Sequence, residues 1–173
     1  MKFIKNSDDT YRLSCNIVNE HVDLSKIITF DLLPLFFDLN RDICEKTDLC
    51  KFDKNHSNLF LLFRHFFADI GEKQLYSYFT ISREISDNEV TFRSTALKST
   101  LPDAIFLDDN IERSPVDSCT FKFFTENIHD VQVEIDISLN KKIPVYLERF
   151  FATCLSKMVN RLKEFIENYS IIE

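Results

Sequence analysis

Strict alternation of apolar and polar residues marks two segments of the chain. From residue 131 to residue 139 every odd position is apolar and every even one is polar, and residues 11–17 alternate in the same way. This period of two is typical of a strand with one face on the core and the other in water. The sequence therefore predicts an early strand and a late strand, and the late one pairs with residues 119–124 through a turn at residues 125–130.

The C-terminal part of the chain has a helical period instead. Over residues 146–169 apolar residues recur at steps of three and four, and charged or polar residues occupy the opposite side. This pattern predicts one long amphipathic helix. An antiparallel sheet with one solvated face must cover its other face. We expect the long helix to provide that cover.

Two short helices are predicted after the first strand. Residues 24–28 and 35–43 carry apolar residues at helical steps, and Pro34 lies between the two groups. Proline suits the first turn of a helix but disrupts its interior. We therefore predict two helices that are divided at Pro34.

The apolar run at residues 58–70 is compatible with two structures. It is either a buried strand or a helix that ends at Gly71, the only glycine of the chain, which would adopt the left-handed conformation beyond the helix. Periodicity does not separate the two structures. The strand-like segment that follows favours a strand, because the two would form a hairpin.

The middle of the chain predicts further strands. Residues 75–85 and 89–97 form a hairpin across a turn at residues 86–88, and the proline-containing stretch that follows is a loop with a short strand at residues 104–107. No linker divides the chain. The predicted fold class is α+β: an antiparallel sheet, two short helices after the first strand and a long C-terminal helix, in a single domain of residues 1–173.

The order of these elements, together with the segment "FTENIHDVQVEIDISLNKKIPVYLERFFATCLSKMVNRLKEFIE", resembles the helix-grip family. This family includes START-related lipid-transfer domains, polyketide cyclases and birch-pollen-type allergens, grouped as the SRPBCC superfamily. In it the last strand runs through a short proline-containing turn into a long helix that lies across a curved antiparallel sheet. The resemblance implies a cavity between the sheet and the helix for a hydrophobic, lipid-like molecule.

The resemblance also implies which residues line that cavity. The matching positions point inward from the strands or from the helix, and they are Phe79, Ile81, Phe92, Phe121, Phe123, Val133, Ile135, Ile137, Phe151, Leu155, Met158 and Leu162. The alternative for all of them is ordinary core packing, which is the usual role of an apolar stripe. Arg64 and His65 lie among aromatic rings in "FRHFF". If that segment is a strand, one of the two points inward and is a candidate to contact the polar end of a ligand; the alternative is a polar group that faces water.

Composition and charge narrow the range of partners. The net charge of -7 and the pI of about 5.1 argue against general electrostatic binding to nucleic acid or to anionic lipid surfaces. The chain begins without the apolar region of a secretory signal, and no stretch has the apolar length of a membrane span. We expect a soluble, cytoplasmic protein.

The cysteines and histidines indicate no metal site. Five cysteines occur without a CxxC pair, and we expect each to be a reduced, small buried hydrophobe; they are Cys15, Cys44, Cys50, Cys119 and Cys154. The four histidines share no ligand spacing such as HxxxH; they are His21, His56, His65 and His129. No GxSxG elbow and no phosphate-binding glycine loop is present.

We therefore expect no catalytic residue, no metal and no cofactor. The predicted function is the binding or carriage of a hydrophobic small molecule. One alternative is a non-enzymatic protein-protein interaction module with a filled core and an exposed patch drawn from the eighteen phenylalanines. Another is an enzyme, such as a cyclase, that acts on an apolar molecule.

Overall fold

The computed structural model describes residues 1–98, 101 and 109–170. Within them nine strands form one sheet. The strands are β1 Lys2–Lys5, β2 Thr10–Val18, β3 Cys44–Lys51, β4 His56–Phe63, β5 Gln74–Ile85, β6 Glu89–Ala96, β7 Ile111–Arg113, β8 Val116–Asn127 and β9 Asp130–Leu139. Their order across the sheet is β1-β2-β9-β8-β6-β5-β4-β3, and β7 pairs with β5. Every pair is antiparallel except β5 and β7.

The register of the strands assigns one apolar face to the core. Ile135 in β9 stands opposite Leu13 in β2 and Phe121 in β8, and Phe79 in β5 stands opposite Leu59 in β4. Residues directly opposite each other share a face, so these side chains all lie on one side, which we call the inner face. The long alternation at residues 131–139 is thereby confirmed as a strand.

The long helix covers one part of the inner face, and residues 24–37 cover another, with Phe30 packed on Phe92 and Phe36 on Phe121. This helix, α3, runs from Val145 to Glu167, and its 23 residues span about 35 Å. Its buried residues are Leu155, Met158, Val159, Leu162 and Ile166. Pro144 lies just before the helix, where the lack of a backbone N–H costs no intrahelical hydrogen bond. The predicted helix is confirmed, with its ends shifted by one or two residues.

Two short helices are present, but Pro34 does not divide them. The first, α1, is Leu24–Ile27, and Asp23 caps it by accepting a hydrogen bond from the Ser25 amide at 3.1 Å. The second, α2, is Leu32–Asp38. The break falls at residues 28–31, and Pro34 lies inside the first turn of α2. The predicted dividing position was therefore wrong. Proline is tolerated in the first turn because the backbone N–H that it lacks would have no acceptor within the helix.

The ambiguous apolar run is a strand in its first half. β4 ends at Phe63, and a short 3-10 helix, Ala68–Ile70, precedes Gly71. Gly71 has a φ of 80°, the left-handed conformation that glycine adopts without steric cost. The strand interpretation is confirmed for the first half of the apolar run. Gly71 is the left-handed residue that ends a short helix, as the helix interpretation expected.

The polar segments of the sheet were not predicted. β1, β3 and β7 are absent from the sequence-based prediction, because each is short or carries charged residues in place of a clean alternation. Cys50 lies in β3 and is exposed, so the expectation that every cysteine is buried was wrong for this one. The predicted strand at residues 104–107 lies outside the described residues. Among the residues described, no helix is long and apolar enough to cross a membrane.

Candidate functional site

The candidate site is the space between the inner face and α3. Ten of the residues implied as cavity lining are buried in one continuous cluster; they are Phe79, Ile81, Phe92, Phe123, Val133, Ile135, Ile137, Leu155, Met158 and Leu162. Phe121 and Phe151 are half-buried and pack against the same cluster. The fold brings all twelve together.

Arg64 and His65 are not brought to this cluster. β4 ends one residue before Arg64, so neither side chain takes an inward strand position. Both are exposed. Arg64 Nε donates to the Arg41 carbonyl at 3.1 Å, and His65 Nε2 lies 2.6 Å from the Glu72 carbonyl. The expected contact of these two residues with the polar end of a ligand finds no support in their positions.

The C-terminal half of α3 is fixed by polar contacts. Asn40, which is fully buried, donates from Nδ2 to the Phe36 carbonyl at 2.7 Å and to the Met158 carbonyl at 3.4 Å. Buried Asn19 donates to the Ile166 and Tyr169 carbonyls. These buried amides bond to backbone carbonyls of α3 from outside the helix and so fix its position. The helix is therefore held to β2 and to the segment after α2.

Asp42 adds an ionic contact to this half of the helix. Its carboxylate accepts from Lys157 Nζ at 2.8 Å and from both terminal nitrogens of Arg161. The Arg161 guanidinium and the Lys157 ammonium hold the pKa of Asp42 well below its usual range. Asp42 lies in the turn between α2 and β3, so this pairing connects α3 to the far edge of the sheet.

The N-terminal half of α3 is held more loosely. No residue from 145 to 154 is buried, whereas five residues from Leu155 onward are. Half-buried Leu147, Phe151 and Cys154 pack against the edge of the core cluster, and Lys5 Nζ donates to Glu148 at 2.8 Å. Aromatic contacts add to these: the ring centroid of Phe150 lies 4.8 Å from that of Phe66 and 4.9 Å from that of Phe67, and Phe67 also contacts Tyr146. We call Phe66, Phe67, Tyr146 and Phe150 the aromatic cluster.

The aromatic cluster joins the helix to the loop between β4 and β5. Tyr146 Oη donates to Glu72 Oε1 at 3.0 Å, and this bond raises the pKa of the tyrosine. Phe66 is 37% exposed and Tyr146 is 46% exposed. Contacts this close to water stabilise less than buried ones. The helix thus has a firmly packed end and a lightly packed end.

Two polar residues of the inner face were missed by the sequence analysis. Arg83 lies two residues beyond Ile81 in β5, and its Nη2 donates to the Ile28 carbonyl at 2.9 Å. Ser57 lies in β4 opposite Ile81 and is fully buried. The signal was present, because Arg83 continues the odd-numbered apolar series of Phe79 and Ile81. Strand parity alone would have placed it on the inner face.

Other side chains of types that often take part in catalysis or metal binding have structural roles. His129 Nδ1 lies 3.1 Å from the carbonyls of Asn19 and Val22, between the β8–β9 turn and the start of α1. Burial raises the pKa of the Cys44 thiol to about 12, which makes it unreactive at neutral pH. Among the described residues no three His, Cys, Asp or Glu side chains are grouped as metal ligands.

Two depressions occur elsewhere on the surface, each of about 460 Å³ and wide open to solvent. One follows the β5–β6 turn and the end of β8. The other lies between the end of α2 and the end of α3, where Leu39, Phe165 and Tyr169 form its apolar wall. Neither lies between the inner face and α3.

Solved structures share this architecture. Human STARD10 aligns with 92% of this chain at a TM-score of 0.68 and 8% identity, and the chain spans 64% of STARD10. The STAR-related lipid transfer protein from Xanthomonas axonopodis aligns with 94% of this chain and 89% of its own, at a TM-score of 0.62 and 13% identity. Ara h 8.0201 aligns with 91% of this chain and 97% of its own, at a TM-score of 0.51 and 8% identity.

The chain has the helix-grip fold. The fold expected from the resemblance is confirmed, including the sheet, the paired short helices and the gripping C-terminal helix. Comparison with protein families and with curated proteins gives no match. At identities this low the likeness establishes the fold alone.

Asp42→Asn will reveal how far the ionic contact fixes α3. The folded-state pKa of Asp42 is depressed, so its contribution to stability is complete above the unfolded value and is lost as pH falls through the folded value. Because the carboxylate is 47% exposed, we expect the variant to lose only about 1 kcal/mol of unfolding free energy at neutral pH. In urea unfolding, the difference in unfolding free energy between the original protein and the variant should be constant down to about pH 5 and should shrink below about pH 4.

Asp38→Asn is the matched control, because Asp38 forms a single ion pair among the described residues, with Arg41, at a more exposed position. It should change stability by less than about 0.5 kcal/mol at every pH. If the loss of unfolding free energy in Asp42→Asn is the same in acid as at neutral pH, the ionic role of Asp42 is contradicted.

Hydrogen exchange will separate the two halves of α3. Amides of residues 149–154 should exchange at least about tenfold faster than those of residues 158–164, because no buried side chain holds the first half. Exchange followed by mass spectrometry of overlapping peptides measures both sets in one sample. Equal protection along the helix would contradict the division into a packed and a loose end.

Proposed function

We propose that this protein binds or carries a hydrophobic, lipid-like small molecule between the inner face of the sheet and α3. One observation carries the proposal: a continuous buried apolar face is covered by a helix whose first ten residues contain no buried side chain. A cover with one loose end suits a site that opens and closes. The residues that line it are those of the buried cluster, from Phe79 to Leu162.

The fold supports this proposal. The structurally similar protein from Xanthomonas axonopodis is a STAR-related lipid transfer protein, and the likeness extends over 94% of this chain. A shared fold does not fix a shared ligand. It does supply the same two parts, a sheet with an apolar face and a long helix across it.

Binding would be driven by the removal of apolar ligand surface from water. Each Å² removed contributes about 25 cal/mol, so a long hydrocarbon chain supplies the affinity without many polar contacts. The walls would be aromatic and branched side chains, which is the usual lining of a small-molecule site. No covalent step is required, so we propose a binding protein in preference to an enzyme.

Entry of the ligand would occur at the aromatic cluster. The C-terminal half of α3 is fixed by Asn19, Asn40 and Asp42, whereas the N-terminal half meets the β4–β5 loop only through half-exposed rings and one surface hydrogen bond. Separation of Phe150 from Phe66 and Phe67, with release of half-buried Leu147 and Phe151 from the cluster, would open the cluster at that end. Gating by a loop and a helix end of this kind is common in binding proteins.

A second candidate function rests on a different feature. Phe165 is 41% exposed and Tyr169 is 50% exposed, and with Leu39 they form the apolar wall of the depression at the end of α3. Exposed rings beside a groove suit contact with another protein. In that function the core would be filled and α3 would serve only to close it.

Met158→Trp distinguishes a site that accepts a ligand from a filled core. In a site that opens, the larger ring should occupy ligand space, lower the affinity for cis-parinaric acid by at least about tenfold and cost less than about 1 kcal/mol of stability. Fluorescence titration and urea unfolding measure the two effects. In a filled core, overpacking should cost about 1 to 3 kcal/mol, and that result would contradict the proposal.

Thr153→Trp is the matched control, because Thr153 lies on the exposed side of the same helix. It adds the same ring without entering the buried cluster. It should leave both the affinity and the stability within experimental error of the original protein.

A further inference from the structure

Three polar atoms of the inner face are buried without a hydrogen-bond partner among the described residues. They are Nε of Arg83, Oγ of Ser57 and Oη of Tyr11. A buried polar group that lacks a partner costs about 1 to 3 kcal/mol, so such groups are rare in folded proteins. Tyr11 lies in β2, whereas Arg83 and Ser57 lie in the adjacent strands β5 and β4, and this pair calls for an explanation.

The strand register makes the two residues neighbours. Ser57 in β4 stands directly opposite Ile81 in β5, and Arg83 is two residues further along the same strand. The Arg83 amide donates to the Asn55 carbonyl at 2.7 Å, which extends the pairing by one more step. Positions related in this way lie on the same face at a diagonal distance of about 7 Å. An arginine side chain is long enough to reach a group that also contacts the serine.

The positive charge of Arg83 is not balanced by the described part of the protein. Arg12, Arg64, Arg93 and Arg161 each pair with a carboxylate. Arg83 forms no ion pair with any described Asp or Glu, and its described hydrogen-bond acceptor is the Ile28 carbonyl. Its guanidinium lies 6.0 Å from the centre of the Phe92 ring. The ring attracts the cation but does not neutralise its charge, so the half-buried guanidinium still favours an anionic partner.

We propose that Arg83 and Ser57 bind the acidic head group, a carboxylate or a phosphate, of an amphiphilic ligand. The inference rests on the proposed function and adds the chemical class of the ligand to it. The planar guanidinium donates two parallel hydrogen bonds to either kind of oxyanion, and the serine hydroxyl donates a third. The hydrocarbon chain then follows Ile81, Phe79 and Phe92 beneath the cover of the helices.

A neutral ligand would leave this part of the site unsatisfied. A sterol or an ester would bury the guanidinium further and would offer it no negative charge. The site should therefore prefer acids to their neutral analogues. The net charge of -7 does not oppose this preference. Distant surface charges are screened by salt, so the nearby guanidinium has the larger effect on a bound acid.

The test compares two acids with a neutral analogue. The full chain is stripped of bound lipid and titrated with oleate, oleyl phosphate and methyl oleate, with displacement of a fluorescent probe as the readout. Three variants are compared with the original protein: Arg83→Met, Ser57→Ala and the control Arg93→Met. Arg93 lies on the opposite face of the neighbouring strand and is exposed.

The original protein should bind at least one of the two acids roughly ten- to a hundredfold more tightly than methyl oleate. Arg83→Met should abolish that preference while methyl oleate still binds, Ser57→Ala should reduce it severalfold, and Arg93→Met should leave it unchanged. A preference for oleate over oleyl phosphate identifies a carboxylate as the head group, and the reverse identifies a phosphate. Thermal unfolding of each variant without ligand verifies that it folds.

The outcomes separate this inference from the proposed function. Equal binding of acids and ester by the original protein, or an acid preference that survives Arg83→Met, would overturn the acidic head-group site and leave the carrier function standing. Absence of binding for all three compounds would overturn both.

Discussion

The structure depends on the burial of one apolar sheet face beneath α3 and the segment of the two short helices. The sheet presents Leu, Ile, Val and Phe on that side; α3, about 35 Å long, covers it together with residues 24–37, where Phe30 packs on Phe92 and Phe36 on Phe121. The hydrophobic effect makes that contact the main source of stability. Any function that uses the interior must open this contact in part and then restore it.

The attachment of α3 makes partial opening possible. Its C-terminal half carries the fully buried residues and the polar bonds to Asn19, Asn40 and Asp42. Its N-terminal half contacts the core only with half-buried side chains and contacts the β4–β5 loop through the aromatic cluster. Local opening occurs where few buried contacts must be lost. The unpaired Arg83 lies toward the other end of the inner face, so an acidic ligand would place its head group away from the aromatic cluster.

The sequence was most informative where side chains follow a single period. The alternation at residues 131–139 and the stripe at residues 146–169 each correspond to one element, because both face the core along their whole length. β1 and β3 went unpredicted because their charged residues conceal the period. The inward position expected for Arg64 or His65 was wrong, because no pattern marked the end of β4 at Phe63. Strand parity could have placed Arg83 on the inner face, but its missing hydrogen-bond partner and its proximity to Ser57 are properties of the tertiary structure.

Native mass spectrometry of the freshly purified protein, with organic extraction of the same sample, tests the central claim most directly. A site between the sheet and α3 predicts a reproducible bound mass that disappears on denaturation and is recovered in the organic phase. A protein that carries no bound mass, and takes up none from a mixed lipid extract, would contradict the account and favour a filled core.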